Sequence, residues 1–130
     1  MLRAQAKAHL KNYDDSLKEL NYLIRIRPHL ESYARALRVR AWLLATCPVP
    51  SLRNGAQAVE DAKTACKLTN WTDEAAIDSL AVAYAETGDF DSAVRFAEQA
   101  LTVKGIEPLD SRRIQRQLEL FKQRKPIRSS

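Results

Sequence analysis

Three short stripes of small or apolar residues recur along the chain at helical spacing. Ala93, Ala97 and Ala100 lie four and three apart, inside the run AYAETGDFDSAVRFAEQAL from Ala83 to Leu101. Ala58, Ala62 and Ala65 repeat that spacing 35 residues earlier, and Ser16, Leu20 and Leu23 repeat it 42 residues earlier again. On an α-helix such positions share one narrow line, and a line of alanines lets a second helix approach closely. A helix pair that cannot bury its own apolar face must stack on its neighbours, which predicts an all-α solenoid.

Signals for the ends of helices are dense, and strand signals are nearly absent. The pattern predicts seven helices, over about 1–11, 12–27, 30–46, 54–68, 73–87, 90–103 and 110–124. Asn12 is expected to open the second, which carries Tyr13, Leu17, Leu20 and Ile24 on one stripe and ends at Pro28. Leu37, Ala41 and Leu44 line the third, with Trp42 on a neighbouring face, and CPVPSLRNG forms a long loop after it. Asn54 or Ser51 caps the fourth helix. Thr72 is the expected cap of the fifth, with Trp71 stapled onto its first turn. Gly88 and Asp89 turn the chain. Ile114, Leu118 and Phe121 give the last helix one apolar side, while Arg112, Arg113, Arg116 and Lys122 take the others. One apolar stripe with a charged remainder describes a terminal cap. Residues 1–125 thus form one domain, with hairpins over about 1–28, 30–69 and 72–103 and a capping helix over about 110–124, and residues 126–130 follow it as a flexible tail.

Charge changes the picture by its distribution. The formal net charge of +5 divides into basic ends and an acidic middle. Residues 1–40 hold nine Lys/Arg and four Asp/Glu, residues 41–100 four and nine, and residues 101–130 eight and three. This is read as a solvated surface, or as a basic contact for an acidic peptide or nucleic acid. Aromatic residues make up only 7% and are not interleaved with the basic ones, which disfavours nucleic acid. No apolar run approaches the length of a membrane span or the core of a secretory signal. Cys47 and Cys66 lack CxxC spacing and are read as free thiols in a reducing, cytoplasmic setting.

The run Ile77, Leu80, Ala81, Tyr84, Ala93, Ala97 and Ala100 resembles a tetratricopeptide (TPR) repeat, with Ile77 in the slot usually held by Trp. Leu37, Ala41 and Leu44 fit the second unit, although Arg40 occupies a slot that is usually apolar and the turn is five residues longer. Tyr13, Ser16, Leu20, Leu23, Ile26 and Pro28 fit the first, where Lys7 departs from the pattern. AWLLATCPVP, the Trp and the GDF turn are similar to a bacterial repeat subfamily that commonly forms the C-terminal part of multidomain proteins. The resemblance implies a right-handed superhelical stack of about three TPR-like hairpins plus a C-terminal capping helix. It also places the equivalent of Ile77 in the first unit before Met1, so the chain is expected to be a piece of a longer protein or to have a misassigned start.

Chemistry beyond binding has little support. His9 and His29 lie 20 residues apart with no Cys or His three or four residues away, so no metal is expected. Gly55, Gly88 and Gly105 are isolated and form no phosphate loop. Asp14, Asp15, Asp89 and Asp91 are read as helix caps, and no enzyme activity or cofactor is expected. In the family, the first helix of each pair lines a concave groove. By position the resemblance assigns Gln5 and His9 to that groove, then Arg35, Arg38, Val39 and Trp42, then Asp78, Ser79, Val82 and Glu86. Arg35, Arg38 and Trp42 share a helix face, where two guanidiniums beside an indole grip a carboxylate and stack on a side chain. The competing reading puts Trp42 in the core and pairs the arginines with Asp78 or Glu86. The expected function is a non-enzymatic scaffold holding a peptide in the groove. The alternatives are nucleic-acid binding through the basic N- and C-terminal faces, or self-association through the exposed first hairpin.

Overall fold

The computed structural model describes residues 2–27 and 29–129, the side chains of 2–11 excepted. Six α-helices occur among them: α1 (Leu2–Ile26), α2 (Leu30–Thr46), α3 (Gly55–Leu68), α4 (Glu74–Glu86), α5 (Phe90–Leu101) and α6 (Pro108–Lys122). A 3-10 turn at Pro50–Leu52 interrupts the loop before α3. No strand occurs among the described residues, and none of the helices is long and apolar enough to cross a membrane.

Consecutive helices pack in order, and α4 also meets α2. Two of the alanine stripes do what their spacing implies. Ala58, Ala62 and Ala65 on α3, and Ala93, Ala97 and Ala100 on α5, are fully buried. The third stripe is not enclosed: Ser16 is exposed, and Leu20 and Leu23 are only half-buried. Nine of the thirteen residues of α4 are buried, so this helix is the centre of the fold.

The turn from α4 to α5 follows from Gly88, whose φ of +87° costs a residue with a Cβ about 1 kcal/mol or more. Its N–H donates to Ala85 and that of Asp89 to Tyr84, which satisfies two end carbonyls of α4. Gly55 serves a different need. A Cβ there would meet the Thr87 side chain at 3.0 Å and the Glu86 side chain at 3.1 Å, so its absence lets α3 start against the end of α4.

Three expectations are corrected. The first hairpin, expected over 1–28, contains no turn, because α1 runs unbroken through Asn12. No Gly or Pro lies there, and an interior Asn or Asp costs only about 0.7 kcal/mol. A break would instead strand several backbone groups at each new end. Closing Pro28 lies outside the described residues. Asn54 caps α3 as expected, accepting from Gln57 at 3.1 Å, but the cap of α4 is Asp73 rather than Thr72, whose hydroxyl donates to Thr69. Trp71 takes part in an aromatic stack. It sits at φ +59° and stacks on Phe96 of α5 at 6.0 Å, and Phe96 stacks in turn on Tyr84. The third correction concerns the tail. Ile127 packs against the core, and the Ser129 N–H donates to Thr46 at 2.8 Å, so the segment expected to be free lies back across the body.

Arg40, out of place in an apolar slot, has a partner that explains it. Its guanidinium donates to both carboxylate oxygens of Asp61 on α3, at 2.6 and 2.7 Å, and to Asn21 on α1 at 3.0 Å. Asp61 is buried and accepts a further bond from Gln57. Removing the cation alone leaves an uncompensated buried charge. Arg40→Leu is therefore expected to cost about 3 kcal/mol by urea unfolding, and adding Asp61→Leu should regain most of that. A single substitution costing under about 0.5 kcal/mol would contradict the pairing.

Candidate functional site

A cleft of about 260 Å³ opens between α2, α4 and α6, lined by Arg38, Val39, Trp42, Ala75, Asp78, Ser79 and Arg113. Five of these are residues assigned to the groove from sequence: Arg38, Val39, Trp42, Asp78 and Ser79. The other assigned residues do not join them. Arg35 is exposed and faces a separate cleft of about 550 Å³ between α1 and α2, beside Leu20 and Leu23. Val82 is buried in the core. Glu86 sits one turn beyond Val82 and pairs with Arg53 and Arg128. Gln5 and His9 lie outside the residues whose side chains are described.

Asp78 is buried at 2% exposure, so its charge requires partners. Arg113 reaches down from α6 and donates to Oδ2 at 2.6 Å. Gln117, one turn further along α6, lies with its amide against both groups, and the orientation that satisfies it is the one in which its nitrogen donates to Oδ1 at 2.6 Å and its oxygen accepts from Arg113 at 3.3 Å. The same guanidinium lies 5.9 Å from the Trp42 ring. Arg113 therefore ties three helices together at the floor of the cleft. It also corrects the competing reading: Asp78 is matched by an arginine of the capping helix and not by one of α2. Trp42 is half-buried, one edge on the core and one in the cleft.

Arg38 is held differently. Its nearest acid is Asp73, at 3.8 Å, too long for a hydrogen bond, and Asp73 already caps α4. The Arg38 Nε is enclosed and has no hydrogen-bond partner among the described residues. The cleft thus presents one guanidinium spent on a buried carboxylate and a second with an unused donor, with an indole between them in the lining.

Both cysteines are free and buried. Burial, with a smaller push from Asp73, drives the Cys66 thiol up to about 12, and Cys47 is fully buried. At Cys66 a thiol kept protonated and out of solvent is a poor nucleophile. No group of three or more His, Cys, Asp or Glu side chains fit to hold a metal occurs among the described residues.

Sequence reasoning missed Arg113, which it placed on the solvated side of the cap. A signal existed: Gln117 interrupts the inward positions Ile114, Leu118 and Phe121, and a polar side chain at such a position needs a buried partner. Comparison with known proteins adds no constraint, since no family model, no curated protein and no solved structure matches the chain.

Burial pushes the Asp78 carboxyl up to about 6. Arg113 pulls the other way, while Asp110 and Glu74 add a smaller push upward. An ordinary carboxyl in the unfolded chain ionises near 3.8. Between those values the folded chain keeps a proton that the unfolded chain has lost, so stability falls as pH rises through that window. Relative to Asp78→Asn, the wild type should lose about 1–3 kcal/mol between about pH 4 and pH 7, read from urea midpoints of both chains. A pH-independent difference would contradict the assignment.

Proposed function

We propose that the chain is a non-enzymatic, TPR-like interaction module that binds an acidic peptide in the cleft between α2, α4 and α6. The observation that carries this reading is Arg38, whose enclosed Nε lacks an acceptor beside a partly open Trp42. A peptide carboxylate entering the cleft takes a charge-assisted hydrogen bond from the solvent-facing part of that guanidinium, since the Arg38 side chain is 28% exposed, while its neighbouring side chain packs on the indole. The helix pairs α2/α3 and α4/α5, the buried alanine stripes and the Gly88 turn support a repeat architecture. Free, buried thiols fit a reducing compartment such as the cytoplasm.

Arg38→Glu tests the reading. Arg38 has no strong intramolecular partner, so the circular dichroism spectrum should be unchanged. Affinity for an acidic peptide recovered by pull-down from nuclease-treated lysate should fall at least about tenfold. Equal affinity of the two chains in a titration would dismiss the cleft. A steep dependence of affinity on salt, with capture lost after nuclease, would move the function to nucleic acid.

A further inference from the structure

Residues 127–129 occupy a built site at the other end of the α2–α4 surface. The end of α6 turns the chain back, with Arg124 at φ +59° and the Lys125 N–H donating to Leu120. Three kinds of contact hold the tail beyond that turn. Ile127 packs on the core. Arg128 donates to Glu86 at 2.6 Å and to the Ala45 carbonyl at 3.4 Å. The Ser129 N–H donates to the Thr46 carbonyl at 2.8 Å, and its hydroxyl shares a hydrogen bond with that of Thr46, also at 2.8 Å.

The end of a helix leaves four carbonyls without intrahelical donors. In α2, Leu43 is satisfied by the Cys47 N–H and Leu44 by Asn54. Pro48 has no N–H to offer. Ala45 and Thr46 take their donors from the tail, and both residues are fully buried beneath it. The site also has a fixed anion. Arg53 holds Glu86 from the far side at 3.4 Å and is itself anchored on the Cys47 carbonyl at 2.9 Å, so the carboxylate stays in place without Arg128. A cation is favoured here twice over, by Glu86 and by the carbonyl end of α2.

We propose that this is a recognition site for an extended apolar–Arg–Ser segment of another protein, and that residues 126–129 are its tethered competitor. The site favours an occupant, because an empty one leaves two helix-end carbonyls without a protein donor and Glu86 with Arg53 as its one cation. An incoming segment must bring an aliphatic side chain, a guanidinium and a backbone N–H in the order in which the tail brings them. A covalently tethered ligand competes at an effective concentration of roughly millimolar, so a partner must bind tightly or arrive at high local concentration. This proposal does not rest on the acidic-peptide cleft, which uses Arg38 and Trp42.

The test is fluorescence anisotropy with an end-blocked, dye-labelled peptide of residues 124–129. It is titrated with the full-length wild type and with the full-length chain carrying Ile127→Ser and Arg128→Gln, whose own tail does not seat. The altered chain should bind the peptide saturably, with the wild type about tenfold or more weaker. A peptide carrying Arg128→Glu should bind neither, and Arg38→Glu should leave the binding unchanged, which keeps this result separate from that of the cleft. The proposal is overturned if the altered chain binds no better than wild type, or binds both peptides alike. It is also overturned if light scattering shows a wild-type dimer that the tail substitutions dissolve, since a second copy is then the occupant. If the double substitution loses its helical spectrum, Arg128→Gln alone, which retains Ile127 and Ser129, is read by the same criteria.

Discussion

Helix α4 is enclosed on nearly every side, and it carries two carboxylates drawn largely out of solvent, Asp78 buried and Glu86 partly exposed. Asp78 and Glu86 lie eight residues apart with Val82 between them, so all three fall along one stripe of the helix. Each acid is met by arginine from elsewhere in the chain: Arg113 from α6 for Asp78, Arg53 from the loop after α2 and Arg128 from the tail for Glu86. The chain beyond α5 is therefore arranged by the needs of α4. The magnitudes divide the labour. Burying Ile114, Leu118 and Phe121 contributes about 2 kcal/mol each and makes α6 adhere. The Asp78–Arg113 pair returns little net energy once desolvation is counted, but a misplaced α6 would orphan a buried charge. Adhesion comes from the apolar stripe, and register from the ion pair.

The same logic recurs at the other end. Asp61 on α3 is buried because α2 and α3 pack over it, and Arg40 and Gln57 complete it while Asn21 brings in α1. Helix α1 has no comparable obligation. Its main contact is with α2, and it leaves Tyr22 and Ile26 exposed. Buried acids specify the α2–α3 and α4–α6 contacts, α5 is held by its alanine stripe, and α1 is held by the hydrogen bond from Arg40 to Asn21 and by half-buried Leu17 and Ile24.

The alanine stripes, the Gly88 turn and the apolar side of α6 are legible in the sequence, because all rest on spacing and backbone chemistry that a sequence displays directly. The break expected at Asn12 is absent because Asn is a helix cap and an acceptable interior residue alike, and only packing decides between them. Five groove residues do gather in one cleft, since spacing puts them on facing sides of α2 and α4. Arg35 does not, although it lies only three residues from Arg38, because α1 covers that flank differently. Arg53, Arg113 and Arg128 are invisible as partners in the sequence. Each is separated from its acid by 33 to 42 residues, and nothing local distinguishes a buried-pair arginine from a solvated one.

The surface facing the cleft is thus partly committed to the chain itself. Asp78 and Glu86 are closed to an outside cation as long as α6 and the tail keep their places, which leaves Arg38 and Trp42 as the open part. Whether α4 in fact sets the position of α6 is decided by a double-mutant cycle on Asp78→Ala and Arg113→Ala, read by urea unfolding at neutral pH. Coupling of about 1–3 kcal/mol is the expected result, because either single change strands the other partner. Effects that add to within about 0.5 kcal/mol would contradict it and leave α6 held by its apolar stripe alone.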